Sequence, residues 1–212
     1  TYDFAFIGTE HGFASVTEGD LQKAQGDTRV AVMMLGEGAS FDQSFWEADY
    51  WYGNNVENNN GPGFYYNLDA ELPWATLTVA PKPSVPAYAA MTYFLDGSDS
   101  DGQLNTTTGT QLAYQFTNSH TLISTQVLWD YKETASGYSL PAGVTVCDFM
   151  GNCGAKTSAS STVYLGPSPI YVLFSSSGQN SASTSTSQQQ TTSSETSTNS
   201  SWLFVLCAVF LG

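Results

Sequence analysis

The sequence is short of positive charge. It has 5 lysine and arginine residues against 19 aspartate and glutamate residues, a formal net charge of −14 at pH 7. A protein that binds the phosphate backbone of nucleic acid needs a basic patch. The cations are instead scattered along the chain, so the sequence predicts no nucleic-acid partner. The acidic chain, 14% of which is aromatic, suits a neutral ligand such as a sugar.

Histidine and cysteine are also scarce. The 2 histidines, His11 and His120, stand alone, and no histidine or cysteine cluster has the spacing of a metal site. We therefore expect no metal and no cofactor. Cys147 and Cys153 flank a turn-like segment, which leaves two interpretations open, a hairpin disulfide or two free thiols.

The chain lacks a long apolar run. Residues 202–212 are apolar and uncharged but fall well short of the roughly 20 residues of a membrane-spanning helix. Residues 177–201 are mostly Ser, Thr, Gln and Asn, a composition that cannot form a core and resembles an O-glycosylated, disordered stalk. Small residues, a polar spacer and an apolar tail form the signal for a glycosylphosphatidylinositol (GPI) anchor. The alternative is a membrane-associated or buried C-terminus.

The GPI signal predicts where the protein acts. The spacer length places lipid attachment near Ser193 or Ser194, on the extracellular face of the plasma membrane or in the cell wall. Asn105 begins an N-glycosylation acceptor, which fits secretion. Because the chain starts at Thr1 without a signal peptide, we expect it to be a fragment of a longer, secreted eukaryotic product.

The first half alternates between strand and helix patterns. The largely aromatic and apolar residues 2–7 predict a buried strand, which leads into Thr9-Glu10-His11-Gly12 and puts Glu10 at the strand's C-terminal end. A helix follows over residues 17–35, with a capping-box-like start at Thr17 and Asp20 and a stop at Gly36. Its inward face is predicted from helical spacing to carry Leu21, Ala24, Thr28, Ala31 and Leu35.

The same alternation then repeats. A second strand is predicted within residues 39–46, followed by an aromatic and acidic loop through Asn67 that has no secondary structure of its own. A second helix is predicted over residues 86–96, with Gly97 as its stop and Tyr88, Met91 and Leu95 on one face. Strand, helix, strand, helix is the α/β pattern.

After residue 102 the apolar period changes to two, which predicts an antiparallel β-sandwich of five short strands. Leu112, Tyr114 and Phe116 share one face of the first strand, and Ile123, Val127 and Trp129 share a face of the next. The other strands are predicted at residues 144–149, 162–165 and 170–174, and Trp129 and Tyr171 are expected in the core.

These segments, in this order, resemble the end of retaining (β/α)8 glycoside hydrolases with a C-terminal β-sandwich, the group of β-xylosidases, iduronidases and glucosylceramidases. Thr9-Glu10-His11-Gly12 resembles the seventh-strand nucleophile motif, Phe45-Trp46 the eighth strand, and residues 82–97 the last barrel helix. The resemblance predicts a C-terminal barrel portion over residues 1–102 (its last two βα units), a sandwich over 103–176, the stalk over 177–201 and the GPI tail over 202–212.

The resemblance implies a glycosidase acting on an oligosaccharide, polysaccharide or glycoconjugate. Glu10 would be the nucleophile that forms a glycosyl-enzyme, at the strand ends where such barrels carry their sites. Trp46 would offer a flat face to the sugar, Tyr50 and Trp51 would wall the cleft, and His11 would hydrogen-bond near Glu10.

Plainer interpretations remain open. Taken alone, Glu10 is interpreted as a solvated loop acid. Trp46 is then a core aromatic, and Tyr50 and Trp51 are loop or packing residues. A complete barrel needs eight units and about 250 residues, and the acid/base glutamate of the fourth strand has no counterpart here. We therefore expect this chain alone to be inactive. The alternative function is that of a non-catalytic, GPI-anchored carbohydrate-binding or adhesion protein.

Overall fold

The computed structural model describes residues 7–11, 19–39, 41–44, 63–67, 79–106, 108–132 and 135–174. The described chain begins with a β-α-β unit: strand β1 (Ile7–His11), helix α1 (Asp20–Gly36) and strand β2 (Phe41–Ser44). The two strands pair in parallel, with Ile7 opposite Phe41 and His11 opposite Ser44. This confirms the predicted α/β unit, although β1 runs on through Glu10 to His11 and residues 2–6 lie outside the described part.

Helix α1 differs from its prediction at both ends. Gly19, at a φ of 81°, precedes the first helical residue, Asp20, and no side chain caps the helix, so the capping-box start is wrong. The helix does end at Gly36, the predicted stop, although Gly36 is its last helical residue rather than the residue after it. The chain reverses two residues later, at Gly38, whose φ is 91°, a conformation that glycine adopts without strain.

The inward face of α1 is predicted correctly at all but one position. Ala24, Thr28 and Ala31 are completely buried, and Leu35 packs against the core from a half-buried position. Leu21 is 54% exposed, so its assignment to the inward face is wrong. The polar residues Lys23 and Asp27 are buried in the first half of the helix, which hydrophobic spacing does not predict.

A short hairpin and a second helix complete the first half. Strands β3 (Tyr65–Asn67) and β4 (Val79–Pro81) pair antiparallel, so β3 falls inside the stretch that was predicted to be without secondary structure. Helix α2 (Ser84–Leu95) begins two residues before its predicted start at Pro86 and ends one residue before its predicted end at Asp96. Gly97, with a φ of 66°, follows it in the predicted stop position.

The rest of the described chain forms an antiparallel sandwich. The strands are β5 (Ser98–Gln103), β6 (Gln111–Asn118), β7 (Ser124–Asp130), β8 (Ser136–Leu140), β9 (Val144–Asp148), β10 (Ser161–Leu165) and β11 (Ile170–Phe174). The five-stranded sheet has the order β5-β6-β7-β11-β9, and β10 and β8 form a second sheet. The prediction of five strands missed β5 and β8, and β5 crosses the predicted domain boundary after residue 102.

The five-stranded sheet is packed on both faces. Tyr114, Phe116 and Trp129 on one face join the buried residues of α1 and α2 in a single cluster. Ala113 and Leu128 on the other face pack against Leu165 and other residues of the second cluster, between the two sheets. The molecule is thus layered as helices, large sheet and small sheet, which agrees with the alternation predicted for β6.

Two predictions for the sandwich core have opposite outcomes. Trp129 and Tyr171 are 1% and 0% exposed, which confirms them as core residues. Ile123 is 41% exposed and precedes the first residue of β7, so it does not share the buried face of Val127 and Trp129.

Candidate active site

The carboxyl ends of β1 and β2 form the part of the candidate site that the structure describes. Glu10 is the penultimate residue of β1, and His11 at its end is paired with Ser44 at the end of β2. Functional residues of (β/α)8 barrels come from this end of the strands. The side-chain positions of Glu10 and His11 lie outside the described part, as do Trp46, Tyr50 and Trp51.

The β3–β4 hairpin is fastened to α1 by a set of polar and aromatic contacts. The hydroxyl of Tyr66 donates a hydrogen bond to the carboxylate of Asp20. The Nζ of Lys23 lies 5.3 Å from the centre of the Phe64 ring, and that of Lys82 lies 5.1 Å from the Tyr66 ring. We call these five residues the lysine–aromatic clamp. Cation–π contacts of this kind gain strength when the ammonium is removed from water.

Both lysines of the clamp are buried. Lys23 is 0% exposed and lies 2.5 Å from a carboxylate oxygen of the equally buried Asp27, one helical turn further along α1. Lys82 is 1% exposed. Taking a lysine and an aspartate out of water costs several kcal/mol per ion, and a buried pair offsets this only with good geometry. The pair is therefore weak evidence for net stabilisation of α1.

The chain topology puts the clamp at the same end of the β-α-β unit as the candidate site. Helix α1 begins shortly after β1 ends, so its first turns start from the same side of the sheet as Glu10. Asp20 and Lys23 belong to these turns, and the backbone N–H of Lys82 donates to the carbonyl of Phe64 at 2.9 Å just before α2 begins. The clamp therefore fixes the end of the β2–α2 connection to both helices.

The sequence signal for the clamp is weak but present. Lys23 and Asp27 have the i, i+4 spacing of a helical ion pair, and residues 64–66 are three consecutive aromatics. The decisive contact joins Asp20 and Tyr66, which are 46 positions apart, and no local pattern predicts it.

Away from the strand ends, the structure joins Cys147 and Cys153 in a disulfide. Cys147 is buried in the core and Cys153 is exposed. Within the loop, Asp148 accepts hydrogen bonds from the backbone N–H groups of Met150 and Asn152 and from the Asn152 side chain. Burial alone would raise the pKa of Asp148, but these hydrogen bonds lower it below its ordinary value.

The remaining predicted site residues are those for N-glycosylation and GPI attachment. Asn105 is exposed in the segment after β5, and Ser193 and Ser194 lie outside the described residues.

Within the described ranges, neither helix has the length and apolar character needed to cross a bilayer. The same ranges contain no group of three or more His, Cys, Asp or Glu residues arranged to hold a metal ion.

Comparison with solved structures gives the fold. The chain is similar to a family 39 glycoside hydrolase from the gut symbiont Bacteroides cellulosilyticus WH2, with a TM-score of 0.59 and 18% sequence identity over 81% of this chain. It shares a glycoside hydrolase fold. The chain spans only 34% of that neighbour's length, and its described strands form no closed barrel.

A second neighbour is a GH30 endoxylanase from Clostridium papyrosolvens C71, with a TM-score of 0.49 and 13% identity, over 80% of this chain and 42% of that one. No protein-family model and no curated protein sequence matches the chain.

Proposed function

We propose that this chain is part of a cell-surface retaining glycoside hydrolase and that Glu10 is its nucleophile. The observation that carries the proposal is the position of Glu10 near the carboxyl end of β1, in a parallel β-α-β unit that is followed by the layered sandwich. The glycoside hydrolase fold adds support, because active sites of (β/α)8 enzymes lie at these strand ends.

The chemistry requires a carboxylate at this place. An ionised glutamate attacks the anomeric carbon, the glycosidic bond breaks, and a covalent glycosyl-enzyme forms that water later hydrolyses. A second carboxyl group, about 5–5.5 Å away in retaining enzymes, protonates the leaving oxygen and then activates the water. In the proposal this group belongs to a part of the barrel outside this chain, so the chain alone is inactive.

The substrate class follows from the same proposal. The protein would bind an oligosaccharide, a polysaccharide or a glycoconjugate, with Trp46 beneath the sugar ring and Tyr50 and Trp51 along the cleft. His11, the last residue of β1, would hydrogen-bond near the nucleophile. No cofactor takes part in this mechanism.

The decisive experiment compares two glutamate-to-glutamine variants of the full-length product on a panel of aryl glycosides. We expect Glu10→Gln to lower kcat by on the order of 10³-fold or more, because the covalent step is lost. Glu37→Gln is the matched control, since Glu37 is exposed and follows the opposite end of α1. Azide added to Glu10→Ala should restore turnover and yield a glycosyl azide. Undiminished turnover in Glu10→Gln would remove Glu10 as the nucleophile.

We further propose that the mature protein is held at the outer cell surface by a GPI lipid attached near Ser193 or Ser194. The support is the sequence of the tail, with its small residues, polar spacer and apolar end. Phosphatidylinositol-specific phospholipase should release the protein from membranes that also release a known GPI-anchored marker. Retention of the protein alongside a released marker would contradict the anchor.

A further inference from the structure

The β3–β4 hairpin has little structure of its own to hold it in place. It consists of two strands of three residues each, and within the described ranges it pairs with no third strand. An isolated two-stranded hairpin is at best marginally stable in water. Strand β4 ends at Pro81, three residues before α2 begins at Ser84, so the chain itself ties β4 to α2. Strand β3 is joined to neither helix by so short a connection, and its position depends on side-chain contacts.

Helix α1, by contrast, is fixed by its own burial. Three of its side chains are completely buried in the cluster that packs against the five-stranded sheet: Ala24, Ala31 and Val32. The clamp joins the β3 side of the hairpin to this fixed helix, through the hydrogen bond from Tyr66 to Asp20 and the contact of Lys23 with the Phe64 ring. Loss of these contacts would therefore free the hairpin and leave α1 in place.

The Phe64 ring contacts both helices. On α1, the Nζ atom of Lys23 lies 2.5 Å from a carboxylate oxygen of Asp27, and both side chains are 0% exposed, so the helix sets the position of the cation. On α2, the ring of Tyr88 meets that of Phe64 edge-on at a centroid distance of 5.1 Å. A cation removed from water binds an aromatic face more strongly than an exposed one does. The hairpin is thus held between two elements that are themselves fixed.

We propose that the lysine–aromatic clamp is a positioning device for substrate binding, which holds the β3–β4 hairpin as a fixed wall of the sugar-binding cleft. The hairpin belongs to the β2–α2 connection, which leaves β2 at the strand ends where Glu10 lies. Connections at this end of the strands build the active sites of (β/α)8 enzymes. The positioning residues, which act through the hairpin, are Asp20, Lys23, Phe64 and Tyr66. The inference rests on the proposed function.

The clamp should affect KM and leave kcat nearly unchanged. Molecules whose hairpin is out of place have an incomplete cleft, so the apparent affinity falls with the fraction of molecules whose hairpin is in place. At saturation the substrate itself selects the complete cleft, and Glu10 then attacks as it does in the parent. A mere loss of stability would change neither constant at temperatures well below unfolding.

The kinetic test uses the full-length product and the aryl oligosaccharide glycoside that the parent hydrolyses fastest. Tyr66→Phe removes the hydroxyl and keeps the ring that contacts Lys82, whereas Phe64→Leu removes a ring. We expect the double variant to raise KM about three-fold or more, with kcat changed by less than about two-fold. Phe64→Tyr keeps the aromatic face and should have the KM of the parent. Tyr93→Phe is the matched control, since Tyr93 is 80% exposed on α2.

A second test needs no turnover. Backbone hydrogen exchange of residues 63–67 and 79–82 is measured by mass spectrometry in the parent and in Tyr66→Phe. We expect the hairpin to exchange about ten-fold faster in the variant, because a hydrogen bond to a charged carboxylate is lost and the hairpin opens locally more often. Exchange in α1 and in the sandwich should stay as in the parent.

Several results would overturn the inference. Unchanged exchange in the hairpin would show that the clamp does not hold it, and faster exchange throughout the protein would show a general loss of stability. A double variant with the KM of the parent would show that the hairpin is no wall of the cleft, and a lowered kcat at the parent's KM would place the effect at the nucleophile. The proposed function fails separately: undiminished turnover in Glu10→Gln removes the nucleophile and leaves the KM and exchange comparisons standing.

Discussion

Gly36 has a role beyond the helix stop that the sequence predicts. Helix α1 ends at this glycine, and the missing side chain also makes room for the sandwich. A Cβ at this position would lie 2.2 Å from Cδ1 of Tyr114. The Tyr114 ring has little freedom to move, since it is 2% exposed and stacks on Trp129 at a centroid distance of 5.9 Å.

The hydroxyl group of Tyr114 also has a fixed partner. It donates a hydrogen bond of 2.9 Å to the carboxylate of Glu37. Burial, together with this hydrogen bond and the negative charge of Glu37, raises the pKa of Tyr114 to about 12. The hydroxyl therefore stays protonated, and remains a donor, at any physiological pH.

We expect Gly36→Ala to lower the free energy of unfolding by about 1–3 kcal/mol, the usual cost of an overpacked core. Alanine favours the helical conformation by up to about 1 kcal/mol, so a net loss would report the collision with Tyr114. Urea denaturation measures the difference. Gly109→Ala is the control, because no heavy atom lies within 4 Å of its added Cβ. Equal stability of the two variants would show that the helix and the sheet can separate slightly at Gly36.

At the scale of elements, the sequence predicted those that have a strong local period. The helix predicted over residues 17–35 is observed at Asp20–Gly36, and that over 86–96 at Ser84–Leu95. Strands β6 and β7 also lie where alternation predicted them, although β7 begins one residue after Ile123. In each case one face packs into the core and leaves its period in the sequence.

The missed strands lack such a face. Strand β5 has the sequence SDSDGQ, without an apolar residue, and most of its positions are exposed. It is a strand because β6 pairs with it along its length. Strand β8 offers only Tyr138 and Leu140 as apolar side chains. Both lie at sheet edges, where pairing with a neighbour determines the conformation and local hydrophobic pattern does not.

The candidate site was likewise predictable only in part. A short motif after an apolar run places Glu10 near the end of a strand, and β1 does end at His11. The lysine–aromatic clamp was not predicted, because it depends on Asp20 meeting Tyr66 and on two lysines being buried. Charged residues are almost never fully buried unless paired, so a sequence alone assigns Lys23 and Lys82 to the surface.

At the scale of the whole molecule, Asp130 links the two sheets of the sandwich. It lies at the end of β7 in the large sheet and accepts a hydrogen bond from the hydroxyl of Ser136, the first residue of β8 in the small sheet. The backbone N–H of Lys132 donates to it at 2.9 Å, and the hydroxyl of Thr110 at 3.1 Å. One carboxylate thus joins both sheets and two loops.

This arrangement predicts a loss of stability in acid. Burial would raise the pKa of Asp130, but the hydrogen bonds from Ser136, Lys132 and Thr110 lower it below its ordinary value. A carboxyl group with a lower pKa in the folded state stabilises the protein above about pH 4, and the stabilisation disappears as the pH falls through the folded-state pKa. Asp148, whose pKa is lowered in the same direction, adds to this dependence.

We expect the free energy of unfolding to fall between about pH 4 and pH 2 in the parent protein, and to fall less in Asp130→Asn, which cannot lose a charge at this position. The variant should also be less stable than the parent at neutral pH, since the amide accepts weaker hydrogen bonds than the carboxylate. Asp99→Asn, at an exposed position of β5, should keep the profile of the parent. Denaturation at a series of pH values gives all three curves. If the curve of Asp130→Asn is parallel to that of the parent, the Asp130 carboxylate is not the source of the acid dependence.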